Sequence, residues 1–146
     1  MPIRKGEAEW KGTLLKGKGE MKTGAGAIKA SFSFSSRFES AGGSNPEEFI
    51  AAAHAGCFSM AFAGGLDKAG FTAEKIKTNA QVAIEKDGKG FSITSIDLVT
   101  EAHVPGIDNA TFQDIAEAAK AGCPVSKALA GTKINLRAML LSSGAQ

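Results

Sequence analysis

Residues 44–71, SNPEEFIAAAHAGCFSMAFAGGLDKAGF, decide how this chain folds. Asn45 can accept hydrogen bonds from the free amides of a first helical turn, and Pro46 suits the first helical position. Glu47 and Glu48 lie where the helix dipole favours negative charge. A helix starts here. From Phe49 to Leu66, eighteen residues run without a charged side chain and only His54 and Ser59 interrupt the apolar pattern. A helix apolar on every side is expected to be buried on every side. Gly64 and Gly65 should weaken or bend its last turns, and Gly70 should cap it. Eighteen uncharged residues also reach the lower limit for a membrane span. Half of them are Ala or Gly, however, and Glu47, Glu48, Asp67 and Lys68 close the run at both ends. A core helix is therefore favoured, with small residues that let neighbouring backbones approach closely, within one domain or across a dimer axis.

Upstream, residues 2–12 alternate loosely around Ile3, Ala8 and Trp10, and Gly12-Thr13 turns the chain into Leu14–Lys22, an opening hairpin. After the Gly24–Gly26 break, residues 28–38 read as a third strand. Phe32, Phe34 and Phe38 fall on one face, with Ser31, Ser33, Ser35 and Arg37 on the other. Downstream, Ile76–Ile84 and Phe91–His103 read as two strands joined at Asp87-Gly88, a strong hairpin signal. Val104-Pro105-Gly106 ends the second of them. Thr111–Ala121 forms an amphipathic helix capped by Asp108 or Asn109 and closed by Gly122. Pro124 opens another helix with Cys123 at its N-cap, and Lys133–Leu141 is a closing strand. The whole is an α+β domain spanning residues 1–146, with mainly antiparallel pairing.

The chain of 146 residues is long enough to bury a core, and its 17 basic and 15 acidic residues leave a formal charge of +2. The basic residues are scattered, which argues against a nucleic-acid partner. The N-terminus MPIRKGEAEWKG lacks the apolar segment of a secretory signal, so the expected location is cytoplasmic. Two cysteines 66 residues apart do not make a disulfide framework. In a reducing compartment such thiols are catalytic, metal-binding or inert.

A thiol reacts as its thiolate, favoured near a cation or at a helix N-terminus. Cys123 has the second aid. Cys57, in mid-helix, needs a cationic partner. Of three arginines beside fourteen lysines, Arg37 lies in the segment leading directly into the helix, where Glu47 or Glu48 could hold its guanidinium. Cys57 lies ten residues beyond Glu47, roughly 15 Å along an ideal helix axis, so one arginine links them only by reaching along the helix. Each residue has a plainer reading as well. The two cysteines could be unrelated core thiols, and His54 could be a core histidine bonded to backbone rather than a base or metal ligand. Phe32, Phe34, Phe58 and Phe62 could be simple core rather than pocket wall. Ser59 and Ser126 belong to no nucleophile motif and read as structural.

The segments NPEEFIAAAHAGCFSMA, AKAGCPVSKAL, SSRFE and VPGID, with the N-terminal GEAEWKG, closely resemble the OsmC/Ohr family, and its osmotically inducible protein C branch in particular. The resemblance spans nearly the whole chain. It implies an OsmC-like fold, an intertwined homodimer with active sites at the subunit interface, and a thiol-dependent peroxidase that reduces organic hydroperoxides. By motif position, Cys57 matches the peroxidatic cysteine and Cys123 the resolving cysteine. Arg37 matches the arginine that activates the thiolate, and Glu47 the carboxylate that orients it. The reductant would be a thiol or dithiol, with a lipoylated protein as one candidate. No metal or flavin is required, because sulfur itself accepts the oxygen, and no membrane partner is implied. Two alternatives are a metal site built from His54, Cys57, Cys123 and His103, and a peroxide sensor without sustained turnover.

Overall fold

The computed structural model describes residues 1–141, which gather into two compact units meeting in sequence between Phe49 and Ile50. The first unit contains three antiparallel strands in the order β1 (Gly6–Lys11), β2 (Lys18–Thr23) and β3 (Lys29–Phe32). Trp10 pairs with Gly19 and Gly19 with Phe32, so the two rings meet over the glycine at 5.4 Å between centroids. A Cβ on Gly19 would stand 2.6 Å from Phe32 and 2.7 Å from Trp10, so only glycine lets that aromatic pair close.

The expected third strand over 28–38 stops at Phe32. Residues 34–38 turn instead into a short helix, α1 (Phe34–Phe38). The cause is a capping box: the Ser36 amide donates to the Ser33 hydroxyl, and the Ser33 amide donates to the Ser36 hydroxyl at 2.8 Å. Serines that alternate like a strand face also satisfy a helix start, and here the cap prevails. Arg37 is consequently a helical residue, one turn from Ser33. Ser36 Oγ also donates to the carbonyl of Ser44 at 2.7 Å, and Asn45 Nδ2 donates to that of Ser36, which ties the Gly- and Ser-rich loop to α1.

The long helix α2 (Pro46–Lys68) runs unbroken, so Gly64 and Gly65 do not interrupt it. Asn45 caps it, accepting from the Glu48 amide at 2.8 Å. At the other end Gly70, with φ 89°, turns the chain so that the Phe71 amide reaches the Leu66 carbonyl. Gly65 serves packing: a Cβ there would come within 2.9 Å of Ile115 on the neighbouring helix.

The second unit pairs β4 (Lys75–Asp87) antiparallel with β5 (Gly90–His103) through the tight Asp87–Gly90 turn. It then adds β6 (Lys133–Leu141) parallel to β5. Against this sheet lie α2 and α3 (Asn109–Gly122), capped by Asp108, and the short α4 (Pro124–Ala128) packs beside α3. Ile96, Leu98, Thr100 and Ala102 alternate inward along β5, facing Phe58, Phe62 and Leu66 of α2 and Phe112 and Ala116 of α3. Phe62 meets Phe112 edge to face at 5.2 Å. A hydroxyl chain, Ser59 to Thr78 at 2.7 Å and Thr78 to Thr100 at 2.9 Å, pins α2 to the sheet.

All-round burial of α2 does not occur in the single chain. Beyond Glu47 in the first turn, only one stripe, His54, Phe58, Phe62 and Leu66, is buried, while Ala52, Ala53, Gly56, Met60 and Gly64 face outward. The helix is long and apolar enough to cross a membrane by length and composition. Its buried stripe and hydroxyl chain nevertheless make it the core helix of this unit.

Candidate active site

Two pairs of side chains stand out, one in each unit. In the second, Cys57 on α2 and Cys123 between α3 and α4 bring their sulfurs to 2.8 Å without a disulfide. Cys123 is the single residue separating the two helices, closing α3 with its amide and opening α4 ahead of Pro124. It is wholly buried, whereas Cys57 is half-buried.

The groups around these sulfurs decide which of them ionises more readily. Burial pushes the Cys57 thiol above its ordinary range and the contact with Cys123 adds to this, outweighing an amide bond from Val125. Burial also opposes ionisation of Cys123. Its contact with Cys57, the amide and hydroxyl of Ser126, and the Val125 amide prevail, however, and hold it below the ordinary thiol range. The more acidic sulfur in this unit is therefore Cys123, as its place at a helix start suggests. Among the described residues of this unit, no cation acts on Cys57.

In the first unit, Arg37 Nε donates to Glu47 Oε1 at 2.8 Å. Glu47 is buried at the first turn of α2, and its Oε2 accepts nothing from the described residues. Arg37 engages Glu47 through Nε alone, so its two terminal nitrogens remain available among the described residues. Its guanidinium also lies 5.1 Å over the Phe38 ring. Beside it opens a cleft of about 330 Å³ lined by Trp10, Leu14, Phe32, Phe34 and Phe38. Some of the phenylalanines are thus pocket wall, while Phe58 and Phe62 are plain core.

His54 is a buried core residue, but its partner is a side chain rather than backbone: Nε2 lies 2.7 Å from Ser126 Oγ. That link was hidden in the sequence. The metal alternative is not assembled, since no three or more His, Cys, Asp or Glu among the described residues come together to hold an ion.

The sequence model of the OsmC-like protein family matches residues 39–137. Peroxiredoxin OsmC of Escherichia coli (strain K12) is 50% identical over 127 residues, 86% of this chain and 89% of that protein. An organic hydroperoxide resistance protein of Xanthomonas axonopodis pv. citri is 35% identical over 92 residues, 61% of each chain. Among solved structures, the organic hydroperoxide resistance protein OhrB of Bacillus subtilis superimposes with a TM-score of 0.70 at 23% identity, over 94% of this chain and 98% of its own. An OsmC-like protein of unknown function from Vibrio cholerae reaches 0.75 at 18% identity, over 95% and 100%. At these identities the structures speak for the fold alone.

Proposed function

The chain belongs to the OsmC-like protein family, and on that premise we propose that it is a thiol-dependent peroxidase reducing organic hydroperoxides to alcohols in oxidative and osmotic stress defence. The observation that carries this reading is the 2.8 Å approach of two unbridged sulfurs from positions 66 residues apart. The Cys57 thiolate attacks the distal peroxide oxygen, and the O–O bond breaks. The alkoxide leaves and takes a proton to become the alcohol, and the sulfur keeps one oxygen as a sulfenic acid. Cys123 condenses with that sulfenic acid, releasing water and giving a disulfide, which an external thiol or dithiol reduces. A lipoylated protein fits the role of dithiol.

Activation of Cys57 is assigned to Arg37, with Glu47 holding its Nε and leaving the terminal nitrogens free to meet a thiolate. The aromatic cleft beside Arg37 suits the apolar tail of a bulky hydroperoxide. The working form is a homodimer. Support comes from the uncovered face of α2, an apolar stripe spaced for one helix side with Met60 81% exposed, which a second copy would cover. Two unpaired thiols suit the reducing cytoplasm.

The test is turnover of cumene hydroperoxide by reduced protein with excess dithiol. Wild type consumes the peroxide over many cycles and Cys57→Ser consumes none. Equal turnover by the mutant sinks the proposal, and a single oxidation without sustained turnover makes the protein a sensor instead.

A further inference from the structure

We propose that the hydrogen bond between His54 and Ser126 is a latch that holds α4 against α2 and so keeps Cys123 within reach of Cys57, which makes both residues positioning residues for the disulfide-forming step. This deepens the peroxidase reading above and rests on it. His54 Nε2 lies 2.7 Å from Ser126 Oγ, and both side chains are buried. Nδ1 of the same ring has no partner among the described residues. Burying an imidazole with one bare nitrogen is costly where a leucine would fill the space. Packing therefore does not explain the residue. A proton on Nδ1 would be a buried N–H with no acceptor, so it sits on Nε2 and His54 is the donor to Ser126.

The spacing gives the latch its use. Cys57 stands three residues after His54 on α2, and Cys123 stands three residues before Ser126 at the start of α4. Residues at that separation share a helix face, so the 54–126 and 57–123 pairs are two successive rungs between the same two segments. The second rung is the 2.8 Å sulfur contact. With five residues α4 is too short to hold itself as a helix, and Cys123 makes no side-chain cap bond at its start. Its backbone bonds, from the Lys127 amide to the Cys123 carbonyl and from the Leu129 amide to the Val125 carbonyl, are internal to this corner. They shape the corner without tying it to α2; the His54 rung ties it. Neither atom of that rung reacts, so it persists when oxidation of Cys57 breaks up the sulfur contact.

In the step served, the Cys123 thiolate attacks the sulfur of the Cys57 sulfenic acid. The S–S bond forms and the S–O bond breaks. The departing oxygen leaves as hydroxide and takes a proton from solvent to become water. The Cys57 sulfur is reduced from the sulfenic to the disulfide level as the Cys123 sulfur is oxidised to it, so no outside electrons enter.

The first test needs no peroxide. Reduced protein is equilibrated with glutathione and its disulfide at a series of ratios, and mass spectrometry after acid quench reads the fraction carrying the Cys57–Cys123 disulfide. Each protein disulfide made consumes one glutathione disulfide and releases two glutathione thiols. Removing the latch frees α4 in the dithiol form but not in the cross-linked one. Ser126→Ala is therefore expected to move the midpoint about tenfold toward oxidised glutathione, the worth of one buried hydrogen bond. His54→Leu moves it alike, and His54→Gln, whose amide can donate from the place of Nε2, returns it toward wild type. A bond that only supported the fold would weaken both redox forms equally and leave this midpoint alone. The second test adds one equivalent of cumene hydroperoxide and traps sulfenic acid with dimedone: the ratio of trapped Cys57 to disulfide rises about tenfold in Ser126→Ala. An unchanged midpoint or an unchanged ratio in Ser126→Ala, or a midpoint that His54→Gln displaces as far as His54→Leu does, overturns the latch. Failure of wild type to give any trapped sulfenate or disulfide with the peroxide overturns the peroxidase reading instead, while the glutathione midpoint still judges the latch.

Discussion

The two units of this chain divide labour unequally. Every fully or nearly buried apolar side chain among the described residues, from Phe58 to Cys123, belongs to the unit that begins at Ile50. The unit ending at Phe49 buries Gly19, Ser36 and Glu47, and exposes Ile3, Leu14, Leu15 and Ile28. One unit owns a core and the sulfur pair. The other owns the arginine, the carboxylate and an aromatic cleft. Cohesion is thus concentrated in one unit, and three-stranded sheets with so little buried are marginal until something covers them.

The sharpest probe of that contrast is stability. Phe62→Ala removes a ring packed against Phe58 and Phe112 and should cost about 3–5 kcal/mol. Trp10→Ala removes one member of a half-exposed aromatic pair and should cost only about 1 kcal/mol. Denaturant titration of both variants compares them, and equal losses would show that the first sheet is held as firmly as the core.

Catalysis probes the contrast next. Arg37→Ala should lower kcat/KM for an organic hydroperoxide about a hundredfold, since a nearby cation moves a thiol pKa by about two units. Unchanged kcat/KM would divorce the arginine from Cys57. Glu47→Gln, which keeps the shape of the carboxylate and loses its charge, should cost about tenfold as Arg37 loses its charge-assisted bond. The smallest effect concerns assembly. Met60→Arg on the outer stripe of α2 should weaken self-association by about tenfold in sedimentation equilibrium, with the unfolding midpoint of the monomer unchanged. Undiminished association would place the dimer contact elsewhere.

What could be read from the sequence was what local chemistry dictates. Asn45 and Pro46 opened α2, Asp87-Gly88 made the hairpin, and Cys123-Pro124 opened α4, because caps and turns are settled within four residues. Residues 28–38 misled for the same reason: alternation and a capping box are both local, and only backbone hydrogen bonding decides between them. The pairing of β6 parallel to β5 depends on a crossover through α3 and α4 that periodicity does not record. Motif resemblance pointed to Cys57, Cys123, Arg37 and Glu47, and the structure brings the two sulfurs together and pairs Arg37 with Glu47. The His54 and Ser126 contact joins residues 72 apart, and neither belongs to a pattern that would announce it. The outer face of α2, expected to be buried, is exposed in the single chain, because an all-round apolar pattern does not say what covers each side.

Cys123 occupies the lone non-helical step between a helix of fourteen residues and one of five, whereas Cys57 rides in the middle of a rod of twenty-three. Any movement needed to make or break a bond between them must fall on the corner, since bending the rod would tear its hydrogen-bonded ladder. The oxidation state of the protein should therefore be written in the mobility of α4 and leave α2 silent, a difference that amide exchange would register helix by helix.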